Sequence, residues 1–411
     1  MTPTLASLRR YAIARSLPLP GTLQAAIDRL GFVQADPIRA PARAQDLILR
    51  HRVHGYRTGD LERRYAALAA DEDFFVNYGF LARPAQALLH PRGALGAWPR
   101  PGRRAGEAVL AFVRDRGEVH PRDVDAHFAH GRVTNYWGGS SSATTHLLDH
   151  LHYRGLLRVS RRDGGIRCYA PRDPWPAPAS PAEVRGRQDA LVDLAVALYA
   201  PVPSATLTWL VRRLQIAAPQ WRRAIGAVLA RAKARLSSAR VGGLTWYWPA
   251  GEVADGPPAE DRVRLLAPFD PIVWDRGRFE AFWDWAYRFE AYTPAAKRRL
   301  GYYALPILWR EAVVGWANAA QAGGRLTVEV GYVAGRPPRD RGYRAALDAE
   351  IEALREGLGA GDRAEAANAS PPAARSRSSS AALSGAGGGA VRSSVPPVAG
   401  CVSTSWLAWR K

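Results

Sequence analysis

The sequence is poor in cysteine, and its two cysteines, Cys168 and Cys401, are too few for a disulfide framework or a cysteine-based zinc site. It has no run of about 18 apolar residues and no apolar segment typical of a signal peptide, so we expect a soluble cytoplasmic protein without a membrane partner. The nucleotide-binding patterns GxxxxGKS/T and GxGxxG and the metalloprotease pattern HExxH are also missing. We therefore predict neither a cofactor nor a metal.

Acidic residues are few relative to basic ones. The chain has 57 Lys and Arg against 37 Asp and Glu, which gives a formal net charge of +20. Such an excess favours a polyanionic partner, most simply nucleic acid. A soluble protein that uses arginine freely would show the same balance, and charge alone does not separate DNA from RNA. With 411 residues, the chain is long enough for two to four small domains with cores of their own.

One short stretch, from Leu30 to Pro37, places two polar side chains next to each other. An amphipathic helix is predicted to end at Gly31, because glycine tolerates the left-handed conformation of a helix C-cap. In the short strand that follows, Gln34 and Asp36 are two residues apart, so both side chains leave the same face. We call this pair of residues the ledge. On spacing alone a structural role is an alternative, since Asp before Pro is a common turn residue.

The residues around the ledge, VQADPIRAPARAQDLIL, resemble the Gln-x-Asp segment of the winged-helix DNA glycosylases that repair interstrand crosslinks (the YcaQ/AlkZ-like family). A second stretch begins with LAPFDP at Leu266–Pro271 and continues with YRFEAYTPAAKRRLGYY at Tyr287–Tyr303. It is similar to the C-terminal signature of the same family. The two signatures occur in the family's order and cover the chain to about residue 358. The resemblance implies that Gln34 and Asp36 are catalytic.

The predicted fold class is α+β, with tandem winged-helix (helix-turn-helix) domains, then a small β-barrel-like domain and a disordered C-terminal tail. Helical periodicity, glycine turns and proline-rich linkers set the expected boundaries. They predict an N-terminal winged-helix-like domain with the ledge, two further winged helices, a β-rich domain and the tail, over residues 1–100, 101–175, 182–255, 260–358 and 360–411, respectively. Within the first domain, the aromatic run Phe74–Phe80 reads as a strand whose rings favour the core over a base-stacking surface.

Eight basic side chains are the predicted DNA contacts. They are Arg39, Arg43, Arg161, Arg162, Arg167, Lys297, Arg298 and Arg299. The first two follow the ledge, where phosphate contact and salt bridges within the domain are alternatives. The next three surround a hairpin turn, as expected of a wing that contacts phosphate, with a purely structural wing as the alternative. The last three lie among tyrosines and could clamp a phosphate backbone.

The reaction implied by the resemblance is hydrolysis of the N-glycosidic bond of N7-alkylguanine, in adducts or interstrand crosslinks, as a step of base excision repair. Alkylation at N7 gives the base a positive charge, so the base departs without a general acid. Asp36 would stabilise the oxocarbenium-like sugar or activate water, and Gln34 would orient the water or contact the lesion.

The expected partner is double-stranded DNA carrying alkylated guanine, bound by a monomer associated with the nucleoid. The alternative is a non-catalytic tandem winged-helix DNA-binding protein, such as a transcriptional regulator, in which the ledge is inert.

Overall fold

The computed structural model describes residues 2–93, 96–134 and 140–359. Helices and strands are mixed along the chain, with 44% helix and 21% strand. None of the described helices is long and apolar enough to span a membrane. The predicted tail, residues 360–411, lies outside the described residues.

The first unit combines short helices with one small sheet. Its elements are α1 (Leu5–Ser16), α2 (Leu23–Leu30), β1 (Phe32–Gln34), α3 (Ala44–Leu49), α4 (Asp60–Arg64), β2 (Ala70–Phe74), β3 (Tyr78–Ala82) and α5 (Arg83–Leu89). The strands are antiparallel in the order β1-β3-β2. Thr22 caps α2 by accepting a backbone N–H, and α2 ends at Gly31, whose φ of 68° is left-handed, as the sequence predicted.

The strand predicted across Phe74–Phe80 is wrong in its middle. β2 ends at Phe74 and β3 begins at Tyr78, so residues 75–77 form the turn of a hairpin. The three phenylalanine rings of this segment are buried, as the sequence favoured, and Phe75 packs edge-on against Phe32 with ring centroids 5.6 Å apart. The turn closes with a hydrogen bond of 2.9 Å from the Phe75 N–H to the Asn77 carbonyl. Hydrophobicity predicted the burial but could not place the turn, which contains no glycine or proline.

The second unit contains three helices, a short strand pair and a hairpin. Its elements are α6 (Arg103–Arg116), α7 (Pro121–Phe128), β4 (Arg132–Thr134), β5 (Ser140–Ser142), α8 (Ala143–Tyr153), β6 (Leu157–Asp163) and β7 (Ile166–Pro171). Pro121 opens α7, where its missing N–H has no partner to lose. The hairpin turns at Gly164 and Gly165, both with positive φ.

The third unit repeats the pattern of helices followed by a glycine-turn hairpin. Its elements are α9 (Pro181–Tyr199), β8 (Val202–Pro203), α10 (Ser204–Ala217), α11 (Ile225–Arg235), β9 (Ser237–Val241) and β10 (Leu244–Trp248). The strand order is β8-β10-β9. Both units fit the winged-helix interpretation of residues 101–175 and 182–255, which stays a prediction.

The C-terminal unit is an open sheet, so the expected barrel-like domain is wrong for the described residues. Its elements are β11 (Val263–Leu265), α12 (Arg276–Trp283), β12 (Leu305–Trp309), β13 (Ala312–Ala322), β14 (Arg325–Tyr332) and α13 (Arg341–Leu358). The strands are antiparallel in the order β11-β12-β13-β14. The edge strand β11 has only three residues, and α13 packs Tyr343 near Trp309, with ring centroids 5.8 Å apart. The helix thus covers apolar surface that barrel closure would otherwise bury.

One buried guanidinium connects the first three units. Arg92 donates hydrogen bonds to the carboxylate of Asp73 at 2.8 Å and to the carbonyls of Phe74 at 3.0 Å, Tyr153 at 2.7 Å and Ala217 at 2.6 Å. Its acceptors therefore come from β2, α8 and α10. Arginine suits this position because its planar fork carries five donors and no acceptor.

A second buried ion pair holds the C-terminal unit against the first. The Arg52 guanidinium donates to both oxygens of Asp270, at 2.8 and 3.1 Å, and to the Ser16 carbonyl at 2.7 Å. The Arg52 and Asp270 side chains are 1% and 0% exposed. Asp270 belongs to the second signature, so this pair fixes that segment relative to the ledge.

We expect Asp270→Ala to lower the free energy of unfolding by about 3–5 kcal/mol, because it leaves the Arg52 charge buried without a counter-charge. Urea unfolding measures the difference. The matched control is Asp348→Ala, which removes an exposed ion pair with Arg344 and should change stability by less than about 1 kcal/mol. Equal destabilisation of the two variants would show that the buried pair does not hold the units together.

Candidate active site

The ledge lies where β1 leaves the first sheet. Gln34 pairs with Gly79 of β3, and the Ala35 N–H donates to the Tyr78 carbonyl at 3.0 Å, so the extended backbone continues past the strand. Successive side chains of an extended chain alternate, which puts Gln34 and Asp36 on one face. Gly79 is required opposite Gln34, because a Cβ there would lie 2.3 Å from a carbonyl oxygen of β1.

The Gln34 side chain is buried, at 8% exposure, and one end of its amide is held in place. Its Oε1 accepts a hydrogen bond of 2.9 Å from Nδ2 of Asn77. The Oδ1 of Asn77 in turn accepts one of 3.2 Å from Nη2 of Arg213, on α10, whose Nε donates to the Val76 carbonyl at 2.9 Å. The β2–β3 turn and the third unit thus meet at the ledge.

The Asp36 carboxyl is largely buried and has no salt-bridge partner among the described residues. Its Oδ1 accepts the Ile38 N–H at 2.9 Å, and its backbone N–H donates to Oε1 of Gln45 at 3.4 Å. Burial raises the pKa of Asp36 to about 6, and the bond from Ile38 opposes that rise. The group therefore remains ionised at neutral pH while its charge stays uncompensated by a cation.

The second signature supplies an aromatic wall beside Asp36. Tyr303 is buried, and its hydroxyl has no hydrogen-bond partner among the described residues. Burial and the nearby charge of Asp36 raise the pKa of this phenol. The Tyr303 ring packs near Phe289 and Phe269, with centroids 5.4 and 6.5 Å away. The two signatures, distant in sequence, therefore meet at one place.

A basic loop continues from this wall. Lys297 and Arg299 are exposed, and Arg298 lies over the ring of Tyr302 at 4.9 Å. Tyr302 is itself 43% exposed, and Tyr292 is 77% exposed. Exposed cations beside exposed aromatic rings are suited to contact a nucleic-acid backbone and unstacked bases.

The two arginines that follow the ledge have different environments. Arg39 is exposed on the turn after Pro37. Arg43 is the N-cap residue that precedes α3, and its guanidinium pairs with Glu62. Arg43 also reaches the hairpin of the second unit: a Cβ at Gly165 would lie 2.5 Å from its Nη2. For Arg43 the structure thus shows the salt bridge that the sequence left open as an alternative to phosphate contact.

The hairpin arginines mostly face the protein. Arg162 donates to both oxygens of the buried Glu72, at 2.7 and 2.6 Å, and Arg167 pairs with Asp149 at 2.6 Å while only 4% of its side chain is exposed. The predicted DNA contacts of Arg162 and Arg167 do not fit these positions. Of the three, Arg161 keeps 49% of its side chain exposed. The hairpin therefore uses two of its arginines to attach itself to neighbouring elements.

Sequence patterns identified the ledge and the second signature but did not place Asn77 or Arg213 at the site. Asn77 stands where the resembled family carries a different polar segment, which put a polar role of this segment in doubt. Asn77 lies in a turn that the sequence read as a strand, and Arg213 is on a helix of another unit. Neither has a local signal, because their contacts with the ledge join residues far apart in the chain. The described residues contain no cluster of three or more His, Cys, Asp or Glu side chains that could hold a metal ion.

Comparison with known proteins yields two similarities. The AlkZ-like DNA glycosylase family matches residues 27–356 of this chain. The solved structure of DNA glycosylase AlkZ from Streptomyces sahachiroi is similar with a TM-score of 0.57 and 14% sequence identity, over 87% of this chain and 98% of that one. At that identity the structural match concerns the fold. The matched residues include both the ledge and the second signature.

We expect Asp36→Asn to stabilise the protein at high pH. The folded state raises the pKa of Asp36 from 3.8 to about 6, so it favours the protonated carboxyl, and stability from this group falls as the pH rises through that range. Asparagine stays neutral and can still accept the Ile38 N–H. The gain in free energy of unfolding should be about 1–3 kcal/mol at pH 8 and should shrink towards pH 4.

Urea unfolding from pH 4 to 8 measures this gain. Asp173→Asn, at an exposed position, is the control and should leave the pH dependence of stability unchanged. A wild-type protein and an Asp36→Asn variant with the same pH dependence would contradict the burial of an uncompensated charge at the ledge.

Proposed function

Because this chain belongs to the AlkZ-like DNA glycosylase family, we propose that it hydrolyses the N-glycosidic bond of N7-alkylguanine in DNA, including guanines joined in interstrand crosslinks. The observation that carries the proposal is the Asp36 carboxylate, which is largely buried, lacks a counter-charge among the described residues and lies near enough to Tyr303 to raise the pKa of its phenol. A buried anion without a cation is unfavourable for folding, which makes it a candidate for a role in chemistry.

The substrate explains why one carboxylate suffices. An N7-alkylated guanine is already cationic, so the bond from C1′ to N9 breaks with its electron pair moving to the base, which leaves neutral. The remaining oxocarbenium-like sugar is positive, and the Asp36 anion stabilises it. The oxygen of a water molecule then bonds to C1′, and its proton passes to Asp36 and on to solvent. This sequence needs neither a metal nor a cofactor, because the leaving base requires no acid.

The pKa of Asp36 suits both parts of this role. At about 6, it lies below neutral pH, so most molecules carry the anion that the sugar cation needs. It is also closer to neutrality than that of an exposed aspartate, which makes the carboxylate a better proton acceptor. Gln34 shares the face of Asp36 and can hold the water with its amide.

DNA is proposed to lie along the basic loop next to this site. Lys297 and Arg299 are exposed there, and Arg298 stacks on Tyr302. Arg39 and the half-exposed Arg161 extend the candidate phosphate contacts from the ledge and the hairpin. Arg43, Arg162 and Arg167 are left out of this proposal, because their ion pairs lie within the protein and leave their side chains only 4–13% exposed. The ion pair of Arg161 with Glu118 is exposed on both sides, so Arg161 remains accessible to phosphate.

We expect Asp36→Asn to abolish measurable release of N7-methylguanine from alkylated double-stranded DNA while keeping most of the DNA affinity, because the carboxylate acts on the sugar and not on the phosphates. General acid–base catalysis by one positioned side chain contributes about 100- to 10,000-fold in rate. Gln34→Ala should be less severe, because Asp36 remains. Base release under single-turnover conditions, with DNA binding measured in parallel, gives both values.

Asp173→Asn again serves as the control and should release base at the wild-type rate. Wild-type protein that binds this DNA yet releases no alkylguanine at any concentration would leave the alternative, a non-catalytic DNA-binding protein with an inert ledge. RNA binding would be revealed if single- or double-stranded RNA competed as well as DNA.

The basic loop yields a separate prediction. We expect Lys297→Gln combined with Arg299→Gln to weaken DNA binding and its salt dependence. The slope of log affinity against log salt concentration should become shallower by about 0.9 for each phosphate that is no longer neutralised, or about 2 in total. A titration of DNA affinity from low to high salt measures this slope. The control, Arg344→Gln with Arg355→Gln, removes two exposed arginines of α13 and should keep the wild-type slope. If both double variants kept it, the loop would not contact phosphate.

A further inference from the structure

A line of three polar side chains ends at the ledge. Arg213 Nη2 lies 3.2 Å from Asn77 Oδ1, and Asn77 Nδ2 lies 2.9 Å from Gln34 Oε1. We call these three residues the relay. Asparagine and glutamine amides can each face two ways, because their oxygen and nitrogen ends differ little in shape. The arginine at the start of the relay removes this freedom.

A guanidinium carries five N–H donors and no acceptor, so only the oxygen of Asn77 can face Arg213. The NH₂ end of Asn77 must then face Gln34, and only an oxygen of Gln34 can accept from it. The NH₂ end of Gln34 is consequently turned away from Asn77. Arg213, which can only donate, thereby sets the orientation of the Asn77 amide and, through it, that of the Gln34 amide.

Arg213 is held firmly enough to impose this order. Its Nε donates to the Val76 carbonyl at 2.9 Å, and its Nη2 donates to Asn77, so two of its donors bind the same turn. Its guanidinium lies 5.7 Å from the Trp209 ring centre, and no carboxylate pairs with it among the described residues. Burial lowers the pKa of Arg213, yet arginine stays charged under any condition in which the protein is folded.

The NH₂ end of Gln34 has no partner among the described residues. It shares the strand face with Asp36, so the ledge presents one donor and one anion side by side. Such a pair suits a water molecule whose oxygen accepts from the amide and one of whose protons is donated to the carboxylate.

We propose that Asn77 and Arg213 are positioning residues that hold the Gln34 amide with its NH₂ group towards the attacking water, whose proton Asp36 accepts. This inference rests on the proposed glycosylase function. It assigns to Gln34 the role of a hydrogen-bond donor and excludes it as a base. Neither Asn77 nor Arg213 touches the reacting atoms, and both act through Gln34.

The first experiment measures single-turnover release of N7-methylguanine. Asn77→Ala frees the Gln34 amide to rotate and should slow release about tenfold, the effect of one hydrogen bond. In Asn77→Asp the side chain at position 77 can only accept hydrogen bonds, so the Gln34 NH₂ group should turn towards it and away from the water. Release should then be about 100-fold slower. DNA affinity should stay within about twofold in both. Wild-type rates in both variants would overturn the relay.

The test of Arg213 has a matched control at the neighbouring Arg212. Arg213→Gln can present either end of its amide and should slow release about tenfold, whereas Arg213→Lys keeps a donor-only group and should restore most of the rate. Arg212→Gln removes the same charge from the neighbouring exposed position of α10 and should leave the saturated rate unchanged. Equal rates for Arg213→Gln and Arg212→Gln would contradict the relay.

A double variant separates positioning from a general loss of structure. If Asn77 acts only through Gln34, Asn77→Ala should cost nothing further in a Gln34→Ala background. A further tenfold decrease in that background would show that Asn77 acts on the fold or the substrate by another route, and the relay would be overturned.

The last readout does not depend on activity, so it distinguishes a failure of the relay from a failure of the proposed function. The side-chain amide ¹H–¹⁵N signals of Gln34 can be assigned by their disappearance in Gln34→Ala. They should move in Arg213→Gln and stay in place in Arg212→Gln. Wild-type protein that releases no base would overturn the glycosylase proposal alone, whereas unmoved Gln34 signals would overturn the relay even in an active enzyme.

Discussion

The buried ion pair between Arg52 and Asp270 determines where the two halves of the candidate site meet. Arg52 follows α3, which comes directly after the ledge segment, and Asp270 lies in the loop that precedes α12. Both charges are removed from water, so they are stable only when they face each other. A bidentate pair also fixes orientation, unlike apolar contact, which tolerates sliding. The pair therefore helps to fix the aromatic wall around Tyr303 relative to Asp36.

Among the largely buried carboxylates of the described residues, Asp36 has an unusual environment. Burial alone would raise the pKa of Glu72, yet the Arg162 guanidinium outweighs it, and the pKa is lowered. The pKa of Asp73 is likewise lowered, because its polar neighbours, foremost the Arg92 guanidinium, outweigh the effect of burial. Asp46 also has a pKa raised to about 6, but its Oδ1 accepts hydrogen bonds from the Tyr56 hydroxyl and the Gly59 N–H. Its carboxyl group therefore has a structural role. A raised pKa thus does not mark a site by itself. Asp36 differs because the only described hydrogen bond to its carboxyl group comes from its own turn and because it lies near Tyr303.

Local chemistry predicted much of the fold, and contacts between distant residues account for most of what it missed. The helix end at Gly31 and the glycine-turn hairpins follow from backbone preferences that act within a few residues. The turn at residues 75–77 was missed because Asn77, its only residue of a type that favours turns, stands among aromatic and β-branched residues that favour strands. Spacing singled out the ledge, because its two polar residues and their proline lie within a few positions, but its catalytic interpretation came from the resemblance to a known family. Arg213 could not, since nothing in α10 indicates which of its arginines faces the ledge.

The arginines show why net charge is a weak guide to where DNA would bind. Arg92, Arg162 and Arg167 face acceptors inside the protein, and each satisfies a buried carboxylate. Such residues hold units together and are unavailable to phosphate, although a sequence count includes them with the rest. Moving Arg162 out to DNA would leave Glu72 buried and uncompensated, at a cost larger than one phosphate contact returns. The phosphate contacts must therefore come from cations without a buried partner, and this argument favours the exposed loop at Lys297 and Arg299 over the hairpin.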